Sequence, residues 1–291
     1  MAHRLANASG VYHGPAGMVF MTFGEAKPEN PDISPNRRIA PMLWQRIRDV
    51  TRYRALYGRE FSRGSSNNAE AEFNEQLIGY PKNHNYQVRE SKLIPCFRLY
   101  ERYRALEPLY PRPLKSFLDL GSCKGFYVLN VALTEPDCQR AVGIDVHAPF
   151  IEVANKVKDY LKVGKASFYQ ASLDEVAVDP ASFGGPFQAV LMLSCYHYFF
   201  WGSEYSALAY HSHDEIMTRL AKLCTGTLLL SGRLEFDRLP SNVQERVKSS
   251  VHRQTYNTEE FVKAAKAFFD IRVAGHFGRN ALFVMRKKGI Q

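Results

Sequence analysis

No cysteine pair in this chain has the C-x-x-C spacing of a metal cage. The five cysteines, Cys96, Cys123, Cys138, Cys195 and Cys224, are odd in number and scattered. That pattern argues against a disulfide framework and for a reducing compartment. The opening residues, Met1-Ala-His-Arg-Leu, lack the apolar stretch of a secretory signal. No apolar run approaches the ~20 residues that cross a bilayer. A cytoplasmic protein without membrane contact is expected. Acidic excess is missing too, since 38 Lys and Arg stand against 29 Asp and Glu. A basic balance permits phosphate-bearing partners without requiring them. What remains is ordinary globular material, 45% hydrophobic over 291 residues. That suffices for one large domain with a cap.

Residues 1–40 show no periodicity and read as irregular, with a short apolar patch at Val19-Phe20-Met21. Residues 41–63 read as a basic amphipathic helix. Leu43, Trp44, Ile47, Val50, Tyr53 and Leu56 form its apolar side, and arginines fill much of the rest. Such a helix could follow phosphates, or could be a solvated face with arginine stems over apolar neighbours. Two more helical stretches are expected at about Ala69–Ile78 and Glu90–Glu107, separated by a polar loop. Pro108 and Pro111-Arg112-Pro113 end the second. The natural boundary lies there, with a mainly helical cap and substrate region at 1–110 and a second domain at 111–291.

Beyond it strands and helices alternate. Strands are expected at Ser116–Leu120, Arg140–Ile144, Ala166–Tyr169, Phe187–Leu193 and Thr227–Ser231, with helices between. Repeated strand–helix units imply a parallel sheet covered on both faces. Near the end, strands Asp270–Ala274 and Ala281–Arg286 are joined by so short a turn that they must be antiparallel.

The chemistry centres on Ser116-Phe-Leu-Asp-Leu-Gly-Ser-Cys-Lys-Gly125. A buried strand runs into a glycine turn and then a helix start. Gly121 and Gly125 would admit close approach of a ligand to the backbone, and the helix beyond offers free N–H groups. Asp145 closes the second strand, where an acid can accept both hydroxyls of an adenosine ribose. The glycine stretch resembles motif I of the class I S-adenosylmethionine (SAM) methyltransferases, D-x-G-x-G-x-G, with Cys123 in place of the middle glycine. Val142-Gly-Ile-Asp145 resembles that family's V-G-x-D. The resemblance covers about Leu114–Lys288. It implies an α/β, Rossmann-like seven-stranded sheet, mostly parallel with an antiparallel C-terminal hairpin, and SAM as methyl donor.

For the cofactor the resemblance implies Asp119, Gly121, Ser122, Cys123, Gly125, Asp145, Val146, Ala171, Ser172, Ser194 and Cys195. Asp119 would face the methionine end of SAM. Gln170 stands where the family usually has an acid, and Ser172 could instead cap the next helix through Glu175 as S-x-x-E. After the fourth strand, Ser194-Cys-Tyr-His-Tyr-Phe-Phe-Trp201 resembles the L-x-x-Y-H segment of several methyltransferases. It does not match N-P-P-[YF], which argues against DNA-base methylation. His197 is the candidate general base, because its ordinary pKa lies near neutrality. Tyr196 joins it as a candidate catalytic residue, and Tyr198, Trp201 and Arg233 as candidate acceptor contacts. The histidines of Tyr210-His-Ser-His213 sit two apart, which on a helix does not bring them together, so no metal is expected.

The function that follows is methyl transfer to a small molecule, chiefly to oxygen. The alternatives are an RNA-modifying (tRNA-type) methyltransferase and a non-catalytic SAM-binding protein.

Overall fold

A computed structural model describes residues 47–58 and 67–289 of the chain. The irregular stretch expected at 1–40, and Arg46, Arg59 and Arg63 of the basic helix, lie outside the described residues. Residues 47–57 form helix α1. Its Tyr53 hydroxyl donates to the Pro95 carbonyl at 3.0 Å, and its ring packs edge-on to Phe97. Helix α2, Asn68–Leu77, starts at Asn67, whose side chain accepts the Glu70 N–H.

The next element departs from expectation. Residues 86–95 are a β-hairpin, β1 (Tyr86–Arg89) paired antiparallel with β2 (Lys92–Pro95). Helix α3 begins only at Phe97 and ends at Leu106. The turn residues Glu90 and Ser91 both take positive φ, 49° and 60°. A two-residue hairpin of that kind ordinarily signals itself through Asn-Gly. Here neither residue is glycine, so the turn left no mark in the sequence.

From Ser116 onward the expected alternation is present. The elements are β3 (Ser116–Leu120), α4 (Phe126–Thr134), β4 (Arg140–Asp145), α5 (Ala148–Tyr160), β5 (Ala166–Gln170), α6 (Leu173–Val178) and β6 (Phe187–Leu193). They continue as α7 (Tyr196–Trp201), α8 (His213–Leu223), β7 (Cys224–Ser231), α9 (Ser241–Val247), α10 (Thr258–Lys266), β8 (Phe269–Phe277) and β9 (Asn280–Lys287). The short helices α7 and α9 were not expected. β3 to β9 form one seven-stranded sheet in the order β5-β4-β3-β6-β7-β9-β8. All neighbouring pairs are parallel except those of β9, which runs antiparallel to both β7 and β8.

Alternation along the strands sorts the core into two layers. Leu118, Leu120, Val142, Ile144, Val190 and Met192 face α6, α8 and α10. Phe117, Ala141, Ala189 and Leu191 face α4 and α5, together with Phe73, Leu77, Val88 and Leu99 of the N-terminal elements. The hairpin and its flanking helices are therefore part of the sheet's own core. Among the described residues no helix is long and apolar enough to cross a membrane.

Asn74 ties α2 to the hairpin. Its side chain accepts the Val88 N–H at 2.7 Å and donates to the Val88 carbonyl at 2.9 Å. Both atoms are buried, so Asn74→Leu would strand a backbone donor and an acceptor. A loss of about 2–4 kcal/mol is expected in urea denaturation. A change within 0.5 kcal/mol, roughly the size of a neutral surface substitution, would mean that the hairpin is held by other contacts.

Candidate functional site

The strand order reverses between β3 and β6, with β4 on one side and β7 on the other. Open α/β sheets bind ligands outside the carboxyl ends of the strands at such a switch point. The glycine turn, the ends of β4 and β6, and α7 all meet there.

Three of the five residues after β3 take left-handed backbone: Gly121 (φ 73°), Cys123 (φ 51°) and Gly125 (φ 84°). The Gly121 and Ser122 N–H groups both donate to the Ile144 carbonyl, at 2.8 and 3.0 Å. A Cβ on Gly121 would lie 2.9 Å from Cys195 Sγ, and one on Gly125 2.7 Å from the Phe168 ring. The glycines therefore serve the turn's own packing as well as any ligand. Cys123 adopts a left-handed conformation that glycine ordinarily supplies, at a cost of roughly 1–2 kcal/mol.

Asp145 binds this turn to β4. Its Oδ2 accepts the Cys123 N–H at 2.9 Å and its Oδ1 the His147 N–H at 3.0 Å. One bond per oxygen leaves acceptor capacity on both. Burial raises the Asp145 carboxyl above its ordinary value, and the His147 and Cys123 N–H bonds oppose that rise. Asp119, 3% exposed on β3, is raised well above the carboxylate range by burial and then by the charge of Asp145. The charge of Asp145 thus bears on Asp119, and a cation beside the two would relieve it. Ser122 Oγ in the turn and His147 Nδ1 beyond β4 are buried without partners among the described residues.

The remaining expected cofactor residues divide. The Ala171 N–H donates to the Asp145 carbonyl at 3.2 Å, and Gln170 Nε2 donates to the Val146 carbonyl at 3.3 Å, which closes the β4–β5 end. Ser194, with φ 61°, donates its N–H to Ser231. Cys195 Sγ donates to the Leu120 carbonyl at 3.2 Å and lies against Gly121. Ser172 is used otherwise. Its N–H and hydroxyl both go to the Glu175 carboxylate, and its Oγ accepts the Glu175 N–H, forming a capping box for α6.

The aromatic run after β6 is helix α7, and its residues point in different directions. Tyr196 is wholly buried, its ring against Phe261 and its hydroxyl 2.7 Å from His213 Nδ1. His213 Nε2 lies 3.1 Å from the Thr255 carbonyl, which can only accept. The proton therefore sits on Nε2, and Nδ1 accepts from Tyr196. This core hydrogen bond removes Tyr196 from the catalytic role expected of it. His197 is also wholly buried, but neither ring nitrogen has a partner. Burial, then Arg233 and Arg246, push its pKa down to about 3, so the ring is neutral. Tyr198 is half-buried with its ring 4.0 Å from that of His197. Trp201 is buried against Phe200 and Tyr256, and Arg233 is half-buried beyond β7.

Two residues of this site carried no recognised signal. The Tyr86 hydroxyl of the hairpin donates to the Lys124 carbonyl at 2.6 Å. The Lys124 ammonium, 3% exposed inside the glycine turn, donates to the Leu77 carbonyl that ends α2. The N-terminal elements hold the turn from behind. A lysine between a cysteine and a glycine of the turn was the only hint in the sequence.

No protein-family model matches the chain, and no curated protein aligns with it at a significant level. Solved structures do match. EvdMO1 superposes with a TM-score of 0.52 over 75% of this chain and 46% of its own, at 15% identity. The chain has the fold of the class I SAM-dependent methyltransferases. It spans less than half of EvdMO1. The N-terminal domain of EvdMO1, solved in the presence of SAH and D-fucose, scores 0.46 at 18% identity, over 65% of this chain and 82% of that one. An O-methyltransferase family protein from Burkholderia thailandensis scores 0.44 at 17% identity, over 67% and 57%.

The raised Asp119 carboxyl has a consequence for stability. A carboxyl with a folded pKa above its unfolded value binds more protons when folded. Its penalty is absent below the unfolded value, grows as pH rises from the unfolded towards the folded value, and is constant above the folded value. Asp119→Asn, which removes the charge, is expected to stabilise the ligand-free protein near neutral pH by roughly 1 kcal/mol. The gain should vanish in acid. A variant that is less stable than the parent at neutral pH would show that Asp119 is paired in the free protein.

Proposed function

We propose that this chain is a SAM-dependent methyltransferase that methylates a hydroxyl oxygen of a small-molecule acceptor. The observation that carries the reading is the pair of acids, buried Asp119 and half-buried Asp145, on adjacent strands beside the glycine turn. Acids stacked without a counter-charge are unfavourable unless a cationic ligand joins them. SAM fits that demand, with an ammonium for Asp119 and two ribose hydroxyls for Asp145. When bound, SAM supplies an electrophilic methyl group on its sulfonium.

The protein's own part is positioning and proton handling. Backbone N–H groups hold Asp145 in place, so its free lone pairs are aimed before the ligand arrives. His197 is neutral and thus able to take a proton at a ring nitrogen from the acceptor hydroxyl. Tyr198, Trp201 and Arg233 are the acceptor contacts in this reading. Holding the acceptor oxygen in line with the methyl supplies much of the rate. The product pair is the methyl ether and S-adenosylhomocysteine (SAH).

Incubation with trideuteromethyl-labelled SAM and an extract of small molecules should give a product heavier by one labelled methyl, seen by mass spectrometry. Label found only in RNA would reverse the choice of acceptor. Asp145→Ala should weaken SAH binding about tenfold or more, the equivalent of ~1.4 kcal/mol, through loss of charge-assisted hydrogen bonds. His197→Ala should lower kcat by 10²-fold or more while SAH affinity changes little, as loss of a general base does. Equal turnover in the His197 variant would leave that ring a packing residue.

A further inference from the structure

Helix α7 carries two buried polar side chains that nothing among the described residues satisfies. His197 and Trp201 are one helical turn apart and so share a face. Both His197 ring nitrogens and the Trp201 indole N–H are buried without a hydrogen-bond partner. Buried polar groups are nearly always paired, and each exception asks for a cause.

The surroundings supply positive charge. Arg233 lies two residues beyond β7, and no hydrogen bond or ion pair holds its guanidinium among the described residues. The Tyr256 hydroxyl donates to the Arg233 carbonyl while the Tyr256 ring packs 5.3 Å from Trp201. The strand end and α7 are thereby fixed side by side. Arg246 donates to the Trp201 and Gly202 carbonyls at 3.3 and 2.8 Å, adding a second guanidinium at the end of α7. Glu235, the nearby acid in sequence, is committed to the Thr258 N–H and hydroxyl at the start of α10. Among the described residues, an indole N–H and an imidazole are left without a hydrogen-bond partner and the Arg233 guanidinium without a counter-charge.

We propose that the methyl acceptor bears an oxyanion, a carboxylate or a phosphate, whose charge lies against Arg233 and whose hydroxyl reaches His197. This rests on the methyl-transfer reading for the hydroxyl, but the oxyanion site stands on its own geometry. Planar guanidinium groups pair with carboxylate and phosphate oxygens through parallel N–H bonds. An anion beside His197 also favours its protonated form and so offsets the two arginines. The ring then becomes a stronger base when the acceptor is in place than when the site is free.

The test uses the full chain carrying ¹³C at the histidine Cε1 positions, with His197→Gln to identify the His197 resonance. Sodium acetate and sodium phosphate are titrated separately against sodium chloride of matched ionic strength. At least one oxyanion should shift the His197 resonance saturably, and chloride should not. Arg233→Gln should raise the half-saturating concentration tenfold or more, and Arg233→Lys should restore part of the affinity. The more effective anion distinguishes carboxylate from phosphate. No saturable shift with either anion, or the same titration in Arg233→Gln, overturns the proposal. Calorimetry with SAH on the unsubstituted protein tests the methyl-transfer reading separately, so the two can fail independently.

Discussion

Two acids stand on neighbouring strands, and burial together with the charge of Asp145 raises the cost of charging Asp119. Much of the surrounding structure serves to hold them there. The Cys123 N–H reaches Asp145 only because the turn takes left-handed backbone at Gly121, Cys123 and Gly125. Phe168 and Cys195 fill the places where side chains on the two glycines would go. The turn's backbone is thus fixed by packing and hydrogen bonds of the protein itself.

The same turn is braced from the opposite side. Tyr86 and Lys124 connect it to the hairpin and to the end of α2, and Asn74 connects those two to each other. Folding of the N-terminal elements and formation of the turn are therefore linked events. That linkage is made by three side-chain donors, Tyr86, Lys124 and Asn74, on backbone carbonyls. It also accounts for a lysine buried among apolar neighbours, which is rare unless the ammonium has a fixed acceptor.

What the sequence disclosed follows the strength of its periodic signals. Ser116–Leu120 and Phe187–Leu193 are continuous apolar runs ending at turn residues, and both were legible to the residue. The reversed last strand was legible from the short turn at Gly278. The hairpin at 86–95 was not, because Glu90 and Ser91 adopt a turn that usually requires glycine or asparagine. At the site, Asp119, Asp145 and the turn were legible from a motif and are brought together as expected. The direction of each ring in α7 was not. A run of aromatics has no polar face, so nothing in it told that Tyr196 turns to the core while His197 turns away from every partner. Ser172 carried two signals at once, and the capping box prevailed in the structure.

The central claim is that Asp119 and Asp145 together hold an adenosyl ligand through its ammonium and its ribose hydroxyls. Its most direct test is calorimetry of SAH binding in mildly acidic buffers of different ionisation enthalpy. Burial and Asp145 hold the Asp119 carboxyl well above its ordinary value in the free protein, and an ammonium beside it would lower that value and so release protons. One-to-one binding with net proton release, lost in Asp119→Asn, is the expected result. Absence of binding, or binding with the same proton balance in both proteins, would contradict the account.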